Sequence, residues 1–267
     1  MLRRILTAVI GLPILIAIII LGLPWLTLLV GAIALLATLE FLALAQKRDL
    51  EPFAPLALVW TLAFIVTGHF IATGDLGRIT LSYAFAAGLL ASFLWAFFAR
   101  GRQNLTLDWG YTVGGAIYVG WFLSYALLLR GLDHGWQWVL LMLIGTFATD
   151  TFAFLVGKAV GRHKMVPSIS PGKTWEGAAA GLAAAMIAVP LLSSVLGIDM
   201  AVWKAVLLGV LVGVLAQVGD LVESMLKRLS RAKDSGKILP GHGGFLDRLD
   251  SVVFNIVIVY YFAIWAT

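Results

Sequence analysis

Residues 201–226 read AVWKAVLLGVLVGVLAQVGDLVESML. The stretch is long enough to cross a bilayer core, which takes about 20 apolar residues in a helix. Its first half is apolar apart from Lys204. Its second half is not: Gln217, Asp220, Glu223, Ser224 and, just beyond, Lys227 recur at intervals of three or four, with Glu223 and Ser224 adjacent. Such spacing lays all five along one helix face. Ionisable groups inside a bilayer are costly, so a polar stripe on an apolar span marks a functional candidate.

The rest of the chain agrees with a membrane reading. Of its 267 residues, 61% are hydrophobic and 12% are charged. Soluble domains carry about 25% charged residues. No long polar stretch exists to build a separate soluble domain. The absence of cysteine excludes disulfides, thiolate metal ligands and cysteine nucleophiles. The expected fold class is an all-α polytopic membrane protein of about nine transmembrane helices. They fall near 5–22, 25–45, 53–73, 79–99, 110–130, 136–157, 174–196, 201–226 and 246–266. The N-terminal run resembles a signal peptide in its two arginines and apolar segment. It lacks a small-x-small cleavage site and is followed at once by another apolar segment, so it reads as a first helix that stays.

Orientation follows from the basic residues. A cytoplasmic N-terminus and nine spans put the C-terminus outside. All of the 19 Lys and Arg residues then fall inside except Arg78, Arg130 and Lys204. The net charge of +5 is therefore largely topology, with no call for nucleic acid as a partner. Two regions follow. Residues 1–135 are expected to be N-terminal transmembrane helices serving as a scaffold. Residues 136–267 are a catalytic region with two basic loops, near 158–173 and 227–245.

Further polar stripes lie in that second region. Asp247, Asp250, Ser251 and Asn255 share one face of the last span, and Thr146 and Asp150 share one in the sixth. A single Ser or Asn suits helix–helix glue. Four acids, Asp150, Asp220, Asp247 and Asp250, near one membrane face repel one another unless a cation neutralises them. Mg²⁺ takes oxygen ligands, commonly one or two carboxylates plus substrate phosphates. Asp220 and Asp247 are the first-choice ligands, because each begins a polar stripe where its helix meets the loop region. Glu40, alone in the second span, reads as structural.

The loop from Pro167 to Thr174 contains Gly-Lys-Thr, yet a phosphate-binding P-loop needs glycine at the first of eight positions and a strand before it. Here Pro167 and a membrane span stand there, so that motif is excluded. Ser170, Lys173, Thr174 and the amides of a helix start still suit an anion. Pro171 and Gly172 are expected to form a stiff turn directly before the helix, with Glu176 in its first turn. Gly241, Gly243 and Gly244 suit close approach of backbone amides to phosphate, and His242 between them is a candidate phosphate donor or base. Lys227, Arg228, Lys233 and Arg248 flank this segment.

The run from Ser224 to Asp250, S-M-L-K-R-x4-K-D-x-G-x2-L-P-G-H-G-G-F-x-D-R-L-D, resembles the C-terminal signature of the phosphatidate cytidylyltransferase (CDP-diacylglycerol synthase) family. Asp150-x2-Ala-Phe-x2-Gly157, Ser170-Pro-Gly-Lys-Thr-Trp-Glu-Gly177 and Gln217-x-Gly-Asp-Leu-x-Glu-Ser224 resemble the same family in the same order. The resemblance covers about 150–255. It implies a Mg²⁺-dependent reaction of CTP with phosphatidate giving CDP-diacylglycerol and pyrophosphate. It also implies a homodimer in a bacterial inner membrane, contacting membrane lipid, with the site facing the cytoplasm. The implied catalytic set is Asp150, Lys173, Asp220, Lys227, Arg228, Asp247, Arg248 and Asp250. Substrate contacts are expected from Ser170, Thr174, Glu176, Glu223, Ser224, Lys233, Gly241, His242, Gly243 and Gly244.

Two other readings stay open on the residues alone. A polyprenol kinase type of enzyme would use similar groups on a nucleotide and a lipid. An anion transporter would suit intramembrane acids with basic mouths, although the charges gather in one half and at one face rather than along a through-path.

Overall fold

The computed structural model describes residues 2–232, 234–236 and 243–266, with side chains from Gly11 onward. The helices are α1 (Leu2–Leu21), α2 (Trp25–Gln46), α3 (Ala54–Ala72), α4 (Ile79–Phe98), α5 (Leu105–Gly115), α6 (Phe122–Arg130), α7 (Gly135–Val160), α8 (Trp175–Val195), α9 (Val202–Leu229) and α10 (Leu246–Ala266). A π-helical turn, Ala116–Trp121, joins α5 to α6. Two short strands, β1 (Lys164–Val166) and β2 (Ser170–Thr174), lie between α7 and α8. Among the described residues, 8 helical stretches are long and apolar enough to cross a membrane, with Leu105–Arg130 counting as one. Helix α1 adds a twenty-residue helix whose portion with described side chains, Gly11–Leu21, is also apolar. The chain is an integral membrane protein, all-α but for the strand pair.

The chain forms two compact units. The first comprises Met1–Leu132 and Leu229–Arg248; the second comprises Asp133–Arg228 and Leu249–Thr267. The described residues of 229–248, which the sequence division places with the C-terminal region, group with the first unit.

The first unit is built around α2, α3 and the π-helical turn. A Cβ at Gly120 would meet the Thr61 backbone at 2.7 Å, so glycine there lets the turn approach α3. Thr38 and Thr61 share a buried hydroxyl hydrogen bond of 3.1 Å. The span expected at 110–130 begins earlier, at Leu105. The reason is Asp108, a buried acid that polarity alone would exclude from a span. Its carboxylate accepts from the Glu51 amide at 2.7 Å and lies 3.9 Å from Arg102, so the helix carries it inside.

Small residues set the packing of the second unit. A Cβ at Gly177 would stand 2.5 Å from the Ala153 carbonyl, and one at Gly181 2.8 Å from the Thr149 carbonyl. These glycines are four apart on one face, so α8 lies directly against α7. Gly209 and Gly213 repeat the device where α9 meets α8. In a membrane, association rests on such close van der Waals contact rather than on hydrophobic burial.

The loop before α8 differs from expectation. Pro171 and Gly172 lie inside β2, not in a turn. The chain reverses at 167–169, where the Ile169 amide donates to the Val166 carbonyl. The antiparallel register pairs Lys164 with Thr174 and Val166 with Ser170. Proline is tolerated because a two-stranded sheet is all edge.

Gly181→Leu is expected to lower the melting temperature in detergent by several degrees, since the side chain has only the Thr149 backbone to enter. Gly11→Leu, at a position with nothing within 4 Å, should leave it unchanged. Equal melting points for both variants would remove glycine packing as the organiser of the second unit.

Candidate active site

The polar stripe of α9 opens onto a cavity of about 580 Å³ within the second unit. Asp150, Ser170, Lys173, Thr174, Gln217 and Asp220 line it, with Lys158 and Lys164 contributing further positive charge. Helix α7 supplies Asp150 and Lys158, the strand pair supplies Lys164, Ser170, Lys173 and Thr174, and α9 supplies Gln217 and Asp220.

The Lys173 ammonium lies 2.9 Å from the Asp220 carboxylate, and both side chains are partly exposed, at 21% and 34%. Ser224 donates to the other Asp220 oxygen at 3.2 Å, one helical turn along α9. Gln217 donates to the Ala178 carbonyl at 3.1 Å, tying α9 to the first turn of α8. One turn deeper in the stripe, Glu223 is fully buried with the Lys227 ammonium 2.6 Å from its carboxylate. Arg228 donates to the Ile169 carbonyl at 3.0 Å, so the end of α9 holds the reversal between the strands.

Asp150 accepts from the Ser251 hydroxyl at 3.3 Å, and Asp250 accepts from the Ser251 amide at 2.8 Å. Asn255 donates to Thr146 at 2.8 Å, the glue expected of it. Asp150, Asp250 and Ser251 thus form one polar cluster where α7 meets α10. Glycine makes that region possible on the α9 side too, because Gly219 lies against the Asp250 backbone carbonyl too closely for a Cβ.

Thr174 caps α8. Its backbone is extended and its hydroxyl accepts from the Gly177 amide at 3.2 Å. The Trp175 amide donates to the His163 carbonyl at 2.9 Å. These amides of the helix start are therefore already paired within the protein. Glu176 accepts from the His163 amide and stands 2.6 Å from its ring Nδ1. His163 escaped the sequence reading because an exposed loop histidine carries no local signal; only its proximity to Glu176 across the strands gives it a task.

In the first unit, the Asp247 carboxylate accepts from the Ser235 amide at 3.1 Å, the Ser235 hydroxyl at 2.9 Å and the Gly244 amide at 2.9 Å. Gly243 has a positive φ of 81° beside it, a conformation that favours glycine. Arg248 is exposed in the first turn of α10. Lys233, Gly241 and His242 lie outside the described residues. Among those described, no cluster of three or more His, Asp or Glu side chains has the arrangement of a closed metal site.

A cavity of carboxylates, hydroxyls and lysines in an apolar helical protein suits a phosphorylated substrate, and a family match over nearly the whole chain shows it to be a nucleotidyltransferase. It belongs to the cytidylyltransferase family, whose model matches residues 2–265. It is 32% identical over 263 residues to the phosphatidate cytidylyltransferase of Bacillus subtilis (strain 168), covering 97% of this chain and 96% of that one. It is 33% identical over 242 residues to the phosphatidate cytidylyltransferase of Mycobacterium tuberculosis (strain ATCC 25618 / H37Rv), covering 86% and 72%.

Thr174→Val removes the cap while keeping the shape of the side chain. Loss of an N-cap costs about 1 kcal/mol, so a modest drop in melting temperature is expected, with Thr174→Ser close to wild type. An unchanged Thr174→Val protein would show that the cap does not hold the strand pair to α8.

Proposed function

We propose that the chain transfers CMP from CTP to phosphatidate, giving CDP-diacylglycerol and pyrophosphate. The observation that carries this reading is the convergence of Asp150, Ser170, Lys173, Thr174 and Asp220 on one cavity. A phosphatidate oxygen forms a bond to the α-phosphorus of CTP, and the bond from that phosphorus to the bridging oxygen of the leaving pyrophosphate breaks. The nucleophile is already an anion at neutral pH, so no strong base is required. Catalysis is then positioning and charge neutralisation.

Lys173, Lys158 and Lys164 draw the two anionic substrates into the cavity. Lys173 exchanges its Asp220 partner for a substrate phosphate as they enter. Arg228 and Arg248 are assigned to attraction of CTP and to the departing pyrophosphate, while Lys227, assigned with them from sequence, is paired with buried Glu223, which supports a framework part for it. The carboxylates of Asp150 and Asp220, with the hydroxyls of Ser170 and Thr174, give an all-oxygen donor set that fits Mg²⁺. Asp220 and Asp150 would hold that ion, which supplies neutralisation of phosphate charge when bound. Asp247, assigned a ligand role from sequence, already accepts hydrogen bonds from Ser235 and Gly244, which supports a loop-holding part for it. The distribution of Lys and Arg supports a cavity open to the cytoplasm from a bacterial inner membrane. A homodimer is assigned from the family resemblance alone.

The test uses purified protein with CTP, phosphatidate and Mg²⁺, with lipid products resolved by mass. CDP-diacylglycerol and pyrophosphate in equal amounts are expected, with turnover abolished by EDTA and restored by Mg²⁺. A phosphorylated lipid with CDP released would replace the proposal with a kinase. Asp220→Asn should lower kcat by about 10²-fold or more, the scale for removing one electrostatic stabiliser. Lys173→Ala should raise the KM for CTP; unchanged kinetics would make the strand pair scaffolding.

A further inference from the structure

Glu40 is the one acid in α2, and its sequence neighbours give no reason for it. It is 4% exposed. Its Oε2 accepts from the Leu246 amide at 2.9 Å and lies 3.4 Å from the Ser235 hydroxyl, whose single proton it shares with Asp247, across sequence separations of 206 and 195 residues. The backbone closes over it on both sides. A Cβ at Gly236 or at Gly244 would collide with the Glu40 carboxylate, so only glycine admits that approach. The same Ser235 hydroxyl lies 2.9 Å from Asp247, whose carboxylate also takes the Ser235 and Gly244 amides. Two carboxylates from distant parts of the chain therefore bracket Ser235 and the start of α10, all within the first unit. The Leu246 amide belongs to the first turn of α10, where helix donors lack intrahelical partners.

We propose that Glu40 is a positioning residue for the reaction: it fixes Ser235, Gly244 and the first turn of α10, and through them the orientation of Asp247 and Arg248. The kinetic half of this inference rests on the proposed cytidylyl transfer. Its physical content does not, because the contacts are hydrogen bonds to a backbone and a hydroxyl. A buried acceptor that receives a helix amide restrains the chain there more tightly than apolar packing, since leaving the donor unpaired is costly. Arg248 is among the residues assigned to the anionic substrates, and misorienting such a group is expensive in rate. The N-terminal helices thus do more than hold the protein in the bilayer.

The experiment compares Glu40→Ala, Glu40→Gln and Thr38→Val in the full-length protein. Thr38→Val breaks a buried hydrogen bond in the same helix, one not connected to Ser235, and controls for loss of stability. Two readouts are taken. Hydrogen exchange at Gly244 and Leu246 should quicken about tenfold in Glu40→Ala, and in neither of the other two proteins. In the CTP and phosphatidate assay, kcat should fall about tenfold or more in Glu40→Ala with the KM for CTP little changed. Glu40→Gln, which keeps an acceptor, should stay within about threefold of wild type, and Thr38→Val should match wild type. The proposal is overturned if Glu40→Ala keeps wild-type kcat and exchange. It is also overturned if Thr38→Val loses as much activity, or if Glu40→Gln fails as badly as Glu40→Ala. Should wild-type protein make no CDP-lipid, the proposed function fails, while exchange at Gly244 and Leu246 still decides whether Glu40 holds the segment.

Discussion

A carboxylate among membrane-spanning helices must find a cation, a hydrogen-bond donor or a wet cavity, because the hydrocarbon around it offers none. The acids of this chain meet that demand in different ways. Glu223 is fully buried against Lys227, and Asp108 is buried with a backbone amide and Arg102. Glu40 takes the first turn of α10 and a serine hydroxyl. These arrangements are closed, and breaking one by removing a partner leaves an uncompensated buried charge. Asp220 is different. It and Lys173 keep a third and a fifth of their side chains exposed, on the wall of a cavity. Exposed ion pairs contribute little net stability, and for that reason this pair can open for an incoming phosphate at small cost. The division between closed and exchangeable acids separates framework from chemistry.

The same economy governs the backbone. Helices must satisfy their own polar groups in lipid, so irregular chain is tolerated only where protein or water covers it. The strand pair Lys164–Thr174 occupies such a place. Its strands pair with each other, its reversal receives Arg228 on the Ile169 carbonyl, and it is fastened to α8 through Thr174, Glu176 and His163. The outcome is a rigid arm of lysines beside a helix bundle, not a flexible basic loop. Rigidity matters because a phosphate must be oriented for in-line displacement as well as attracted.

The spans were legible because about 20 apolar residues between short polar breaks admit little else. Leu105 was missed as a start because Asp108 reads as a loop residue until its partners are known. Asp150 and Asp220 stood out because each is polar where apolarity is required, and Ser170, Lys173 and Thr174 because they precede a helix start in a basic loop; only the structure shows the five lining one cavity. The strand pair was not legible: β1 is three residues long, and Pro171-Gly172 is a turn signal that the pairing overrides. His163 and Ser235 carry no signal of their own, since their importance lies in partners far along the chain. Glu40 was readable as structural, but its partners, 195 and 206 residues away, were not.

Those distant partners also explain the glycines around Glu40. A carboxylate can accept from a backbone amide only if the chain comes within about 3 Å of it, and a Cβ on the approaching residue obstructs that distance. Gly236 and Gly244 remove the obstruction at the carboxylate, while Ser235, next to Gly236, supplies a hydroxyl small enough to lie near both Glu40 and Asp247. Glycine before the helix, serine in the bracket and a lone acid in α2 are therefore one device seen at separate points in the sequence. Its parts have meaning only together, because an acid without the glycines would be a buried charge with no donor, and the glycines without the acid would leave the start of α10 unrestrained.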